Sequence, residues 1–256
     1  MSPKITVITV CYNSAATIGD TLAAVSRQGY KNVEHLVVDG ASPDGTVEIV
    51  RQWAGHPVVL ISESDKGIYD AMNKGLARAT GDVIGFLNAD DFYADGSALE
   101  KIAAAFEDKQ AEACFGDLVY VSKDNRRVIR YWRSRAFVKR DFANGWCPAH
   151  PTFYIRRSAL DRCGVFDRTF KLASDVEFMM RYLENGDVRS VYIPAVIVRM
   201  RVGGATNQSW RNVLQQNKEV LVALKKNEVP FSTIGFVSRK LRNRLWQYIT
   251  ARFGRA

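Results

Sequence analysis

Gly81-Asp82-Val83-Ile84-Gly85-Phe86-Leu87-Asn88-Ala89-Asp90-Asp91 is a short apolar run that starts at glycine and ends in two adjacent carboxylates. An apolar run of this length, bounded by glycine, reads as a strand buried on both faces. Burial of an unpaired carboxylate is costly, so Asp90 and Asp91 are expected just past the strand, at the mouth of a sheet. Paired hard oxygen ligands at such a mouth suit Mg²⁺ or Mn²⁺ held together with substrate phosphates. The same residues also read as a polar turn before a helix that starts near Asp95.

Upstream of this strand, β and α signals alternate. Lys4–Val10 is rich in β-branched residues, and Ser14 can cap a helix carrying Ile18, Leu22 and Val25 at helical spacing. Val33–Asp39 and Pro57–Ser62 read as further strands, and a helix through Ile68, Met72, Leu76 and Ala79 leads into Gly81. Repeated βα units imply an α/β fold, with a Rossmann-like, mostly parallel central sheet flanked by helices. Ligands of such sheets bind beyond the carboxyl ends of the strands. Asp39, Glu63 with Asp65, and Asp90 with Asp91 all fall at strand ends, and so on one edge. Asp39 is placed to accept hydrogen bonds from a nucleobase or ribose, although Asp39 to Thr46 is also ordinary turn chemistry. No G-x-G-x-x-G follows the first strand and no G-x-x-x-x-G-K-[ST] occurs, which disfavours dinucleotide and P-loop chemistry.

Downstream the pattern is less regular. Glu112–Ser122 and Arg127–Trp132 flank a polar turn and read as a hairpin. His150–Arg156 is a strand candidate, and Ser174-Asp175-Val176-Glu177 opens a helix. Val188–Val202 reads as extended and interrupted at Pro194, while Trp210–Lys226 and Ser232–Phe253 read as helices.

The 256 residues, 47% hydrophobic and 25% charged, fit one large domain or one domain with an appendage. No run of about 18 apolar residues is present, so no transmembrane helix is expected. The N-terminus shows no signal-peptide pattern, and four scattered cysteines without a C-x-x-C pair read as reduced, which makes the cytoplasm the expected compartment. The net charge of +9 is uneven: no acid follows Glu228, and Arg239, Lys240, Arg242, Arg244, Arg252 and Arg255 leave only +3 for the preceding residues. A basic tail on a near-neutral domain suggests an anchor rather than a nucleic-acid surface. Leu241, Leu245, Tyr248, Ile249 and Phe253 recur near helical spacing among arginines, a pattern suited to peripheral contact with an anionic membrane at the inner face of the cytoplasmic membrane. The same pattern also describes a helix packed on the domain with solvated arginines.

Thr6 to Asn13, Val37 to Ser42, Ser62 to Gly75 and Leu87 to Asp91 occur in that order. This ordered set resembles glycosyltransferase family 2, a group with the GT-A fold that transfers sugars from nucleotide-sugars, over about residues 4–205. The resemblance implies a catalytic domain over 1–205, with a nucleotide-binding half (about 1–98) and an acceptor half (99–205), followed by a helical, basic amphipathic C-terminal tail over 206–256. It implies nucleobase contact by Asp39, a nucleotide pocket lined by Tyr12, Asn13 and Lys66, and metal and diphosphate contact by Asp90, with Asp91 beside it as second ligand or ribose contact. Family members commonly carry Asp where this chain has Asn88, so one charge fewer is expected at the metal.

Asp175 matches the family's general base. A carboxylate positioned near an acceptor hydroxyl can take its proton as it attacks the anomeric carbon, and a helix N-terminus favours negative charge. Ser174-x-x-Glu177 also matches a capping box, which makes Glu177 a structural residue. His150, in Cys147-Pro148-Ala149-His150-Pro151, resembles part of the acceptor-side wall. Arg201, with Arg199, is placed to reach the diphosphate, or to face solvent from an extended strand.

The implied activity is inverting, metal-dependent transfer of one sugar from a nucleotide-sugar, UDP favoured, to a glycan or polyprenyl-linked acceptor in surface polysaccharide synthesis. No Q-x-x-R-W motif of processive members is present. The alternatives are a nucleotidyltransferase-like enzyme, against which Cys11–Ile18 offers no glycine-rich basic segment, and a module that binds RNA or anionic lipid through the basic tail.

Overall fold

A computed structural model describes residues 2–203, 210–239 and 242. The first four strands, β1 (Ile5–Cys11), β2 (Val33–Asp39), β3 (Val59–Ser62) and β4 (Val83–Phe86), pair in parallel in the order β3-β2-β1-β4. Helices α1 (Ile18–Ser26), α2 (Thr46–Arg51) and α3 (Ile68–Arg78) connect them. The sheet continues through β8 (Tyr154–Arg156), β6 (Ala113–Val121), β9 (Ser190–Arg201) and the short β5 (Phe92–Tyr93), and β7 (Val128–Trp132) pairs with β6. The long β6–β9 pairing is parallel, whereas β4–β8, β6–β8 and β5–β9 are brief antiparallel seams. The sheet expected from the sequence is therefore present, and the β6–β7 hairpin forms as its turn chemistry predicts.

The period-2 alternation of β1 and β2 separates the core into layers. Ile8, Val10, Leu36 and Val38 face α3, whereas Ile5 and Val7 share the opposite cluster with α4 (Ala98–Ala105), and Cys11 and Val37 pack with α1 and α2. Gly85 in β4 is required by close approach: a Cβ there would lie 2.2 Å from the ring of Tyr154, which is fully buried across the β4–β8 seam.

Pro194 does not end its strand. β9 runs through it, because the register against β6 slips between Gly116 and Asp117, and a bulge removes the demand for a proline N–H. Similarly, the strand expected from His150 begins only at Tyr154, since Pro151 sits in a single 3-10 turn over His150–Thr152.

The second half of the chain adds α5 (Arg157–Cys163) and α6 (Ser174–Met180). Helix α7 (Trp210–Lys226) packs against α6, and Val220, Ala223, Leu224, Val229 and Phe236 join the core that holds α3 and α6. A further helical turn, α8, covers residues 233–239. Leu241, Leu245, Tyr248, Ile249 and Phe253, the apolar positions of the expected amphipathic tail helix, lie outside the described residues. Among the described residues no helix is long and apolar enough to cross a membrane.

Candidate active site

The C-terminal ends of β1, β2 and β3 create the first wall. Asp39, the last residue of β2, is fully buried, and its carboxylate accepts hydrogen bonds from the Ser42 backbone N–H (3.0 Å) and the Ser62 hydroxyl (2.8 Å). Cys11, beside it in register, has its thiol pushed up by burial and by the Asp39 charge. Just past β1, Tyr12 is 61% exposed and Asn13 takes a left-handed conformation (φ 53°), its N–H donating to Ser42 Oγ at 2.9 Å. Gly40 lets these pieces meet: a Cβ there would fall 2.5 Å from Asp65 Oδ2 and 3.3 Å from the Tyr12 ring. Asp65 therefore joins the wall of Tyr12 and Asn13, and its recurrence at a strand end was the available signal. Lys66 is exposed at the same edge, and its backbone N–H donates to Asp70 Oδ2 at 3.1 Å. Asp44 is a turn residue, accepting from the Thr46 N–H (3.1 Å) and the Ala15 N–H (3.0 Å).

Beyond β4 the two carboxylates have different surroundings. Asp91 is fully buried and accepts from the Asn88 side-chain amide (3.2 Å) and the Arg201 backbone N–H (3.2 Å). Its backbone carbonyl also accepts from the Thr21 hydroxyl (3.0 Å), so Asp91 ties the β4 loop to β9 and α1. Burial and the neighbouring Asp90 charge push its carboxyl well above the usual range. Asp90 is half-buried, and among the described residues its carboxylate accepts no side-chain hydrogen bond. Burial raises its pKa, against the pull of the Arg201 charge.

Arg201 lies against Asp90 and Asp91. One terminal nitrogen pairs with Asp20 at 2.5 Å, the guanidinium lies 4.5 Å over the Phe92 ring, and Nε and Nη1 are buried without partners among the described residues. A partly buried carboxylate that takes no side-chain hydrogen bond among the described residues thus sits beside two guanidinium N–H groups that have no partner there. A divalent cation bridged to a diphosphate fits that pair, since the cation would meet Asp90 and the phosphate oxygens the guanidinium. Arg199 points elsewhere, holding Asn125 of the hairpin loop through its side-chain oxygen (2.9 Å) and its backbone carbonyl (3.0 Å).

The opposite wall comes from α3, α6 and α7. Asp175, in the first turn of α6, accepts a hydrogen bond from the Tyr69 hydroxyl of α3 at 3.1 Å. Burial and the Asp175 charge keep the Tyr69 phenol protonated far above neutral pH, so it remains a donor. The loop entering α6 is held from behind by Glu219 of α7. One oxygen of that buried carboxylate accepts the backbone N–H groups of Lys171, Leu172 and Ala173 at 3.0, 2.8 and 3.0 Å. Neither Tyr69 nor Glu219 was assigned a site role from sequence. Tyr69 lies inside the Ser62–Gly75 motif, but Glu219 carries no local signal.

The capping box does not form. Ser174 Oγ donates to the Asp167 carbonyl (2.7 Å), while Glu177, 0% exposed, pairs with Arg181 and Lys226, both at 3.2 Å. Glu177 is structural, but by binding two cations rather than the helix start.

His150 connects the walls. Its ring stacks on Phe86, the last residue of β4, at 5.4 Å, and meets the edge of Phe166 at 5.6 Å. Burial lowers its pKa, partly offset by the Asp175 charge, and its Nε2 has no partner among the described residues. Asp175 and the Asp90 loop are therefore both disposed around the C-terminal end of β4.

A carboxylate near a buried imidazole, and a second carboxylate beside an arginine, thus lie around one edge of the sheet. Residues 6–170 match the family described as Glycosyl transferase family 2, and the chain belongs to that family. It is 28% identical over 211 residues to a PGL/p-HBAD biosynthesis glycosyltransferase of Mycobacterium bovis, covering 80% of each chain. It is 31% identical over 185 residues to the glycosyltransferase Rv1514c of Mycobacterium tuberculosis, covering 70% of this chain and 69% of that one. Among solved structures it is similar to the mannosyltransferase PcManGT of Pyrobaculum calidifontis, in complex with GDP-Man and Mn²⁺ (TM-score 0.66, 22% identity, 99% of this chain and 74% of that one). It is also similar to S. aureus TarS 1-349 in complex with UDP-GlcNAc (TM-score 0.65, 20% identity, 98% and 72%). The fold is that of the GT-A glycosyltransferases.

Proposed function

We propose that this glycosyltransferase moves one sugar from a nucleotide-sugar, UDP favoured, to a glycan or lipid-linked acceptor, with inversion at the anomeric carbon. The observation that carries the reading is Asp175, held by Tyr69 and disposed with Asp90 around the end of β4. Similar proteins solved with GDP-Man and Mn²⁺ and with UDP-GlcNAc support a nucleotide-sugar donor.

In this reading Asp39, Tyr12, Asn13 and Lys66 bind the nucleoside end of the donor. Asp90 is the carboxylate that holds the metal, and Arg201 faces the diphosphate. Asp91, already committed to Asn88 and the Arg201 backbone, holds the loop rather than the ion. A divalent cation, Mn²⁺ or Mg²⁺, would when bound offset the charge that develops on the leaving diphosphate. The acceptor hydroxyl gives its proton to Asp175 as its oxygen bonds to the anomeric carbon, while the bond from that carbon to the diphosphate breaks. A single displacement of this kind inverts the anomeric centre. His150, neutral and with an open Nε2, lines the acceptor side.

The test is nucleotide release from a panel of nucleotide-sugars with Mn²⁺ present. Asp175→Asn, correctly folded, is expected to lower kcat by about 10²–10⁴-fold, and near-normal turnover would reject the base assignment.

A further inference from the structure

Away from the catalytic edge, a cleft of about 390 Å³ lies between the 135–146 segment and α8, lined by Arg135, Asp141, Asn144, Trp146, Arg239 and Arg242. Its one carboxylate is already committed. Asp141 takes both terminal nitrogens of Arg135 at 2.7 Å, and the Val138 N–H at 2.9 Å. Arg135 in turn lies 4.5 Å over the Trp146 ring. Arg239 donates to the Asn144 side-chain oxygen, which brings α8 onto this segment. The Arg239 and Arg242 guanidinium groups thus share a cleft in which the described lining holds no further acid. Like charges so placed repel, and an oxyanion between them removes that cost. Paired guanidinium groups suit the geometry of a phosphate.

The rim is apolar. Val138, next to the Asp141 clamp, is 60% exposed, and Ile234 and Val237 of α8 are 84% and 45% exposed. A free phosphate has no use for such side chains, but a bilayer interface does. We infer that this cleft binds the phosphate headgroups of an anionic lipid surface and that Val138, Ile234 and Val237 enter that surface beside it. The 135–146 segment runs directly into the His150 turn, so docking there sets the acceptor side against the membrane. This deepens the lipid-linked part of the proposed function, and vesicle binding without donor tests it apart from sugar transfer.

Co-sedimentation of the full chain is measured with vesicles of phosphatidylcholine alone and of phosphatidylcholine with phosphatidylglycerol. The variant Arg239→Ser/Arg242→Ser is compared with Arg252→Ser/Arg255→Ser, which removes the same charge elsewhere. Wild type is expected to prefer the phosphatidylglycerol vesicles, and the cleft variant to lose at least about tenfold in that affinity. The control pair should lose less, and Ile234→Ser should weaken binding at unchanged charge. Nucleotide release by the cleft variant onto a water-soluble acceptor should be preserved, which also reports folding. Equal losses in the two arginine pairs would overturn the inference, because net charge alone would explain them. So would inorganic phosphate binding that depends on Arg239 and Arg242 without any vesicle preference, which would mark a site for a soluble phosphate.

Discussion

The two walls of the candidate site are held in place in different ways. On the first, Asp39 and Asp90 stand at or just past strand ends, and the partners of Asp39, Ser42 and Ser62, are a sequence neighbour and a residue of the adjoining strand. On the other wall, Asp175 depends on groups far away in the chain, Tyr69 in α3 and, through the loop before α6, Glu219 in α7. Strand ends deliver Asp39 and Asp90 by register, whereas Asp175, in the first turn of a helix, is pinned by side chains.

The strongest way to break this contrast is Asp90→Asn. If the sheet edge itself supplies the donor site, losing that one charge should cut donor turnover by about 10³-fold while thermal stability stays near wild type. A large fall in stability instead would make Asp90 part of the scaffold.

Next in size come the pins. Glu219→Gln weakens the acceptor of three backbone N–H groups and is expected to cost about 1–3 kcal/mol of stability. It should also lower kcat by about tenfold, with KM for the donor unchanged, since it displaces the loop that carries Asp175. Tyr69→Phe should give the same split between kcat and KM at a smaller stability cost. A rise in donor KM in either variant would show that the two walls are coupled rather than separately held.

The smallest effect concerns acid stability around β1 and β2. His35, in β2, contacts the Thr9 hydroxyl through Nε2 (2.9 Å) and His56 through Nδ1 (2.9 Å), while Trp53 donates to His56 at 3.0 Å. Burial, with the His56 charge, lowers the His35 pKa to about 3. The folded state therefore binds this proton less readily than the unfolded chain, where His titrates near ~6.5. Its contribution is fully present above that pH and is lost as pH falls toward the folded value, by up to about 1.4 kcal/mol per unit. Urea unfolding at pH 7, 6 and 5 should show this slope, and His35→Leu should flatten it. An unchanged slope would move the acid sensitivity to other groups.

How much was legible follows the same division. The βα alternation from Lys4 to Asp91, the acids at its strand ends and the β6–β7 hairpin are local patterns, and the structure contains them. Pro194 and the His150 segment misled because a bulge and a 3-10 turn absorb prolines that a strand pattern cannot accommodate. Ser174-x-x-Glu177 has the spacing of a capping box, yet Arg181 and Lys226 claim Glu177, and a short motif carries no information about such distant competitors.

By itself the sequence determined the class of fold and the sheet edge on which Asp39, Asp65 and Asp90 gather, because side-chain period and turn residues are set by neighbours along the chain. It also placed Asp90 and Asp91 together at the end of β4. Only the tertiary structure separated them, through an Asn88 amide and an Arg201 backbone N–H from 110 residues away that occupy Asp91, while Asp90 takes no side-chain hydrogen bond among the described residues. The same holds for the arrangement of Tyr69 and Glu219 around Asp175. Burial and hydrogen-bond satisfaction depend on what the whole chain brings to a point in space, and a linear pattern does not contain that information.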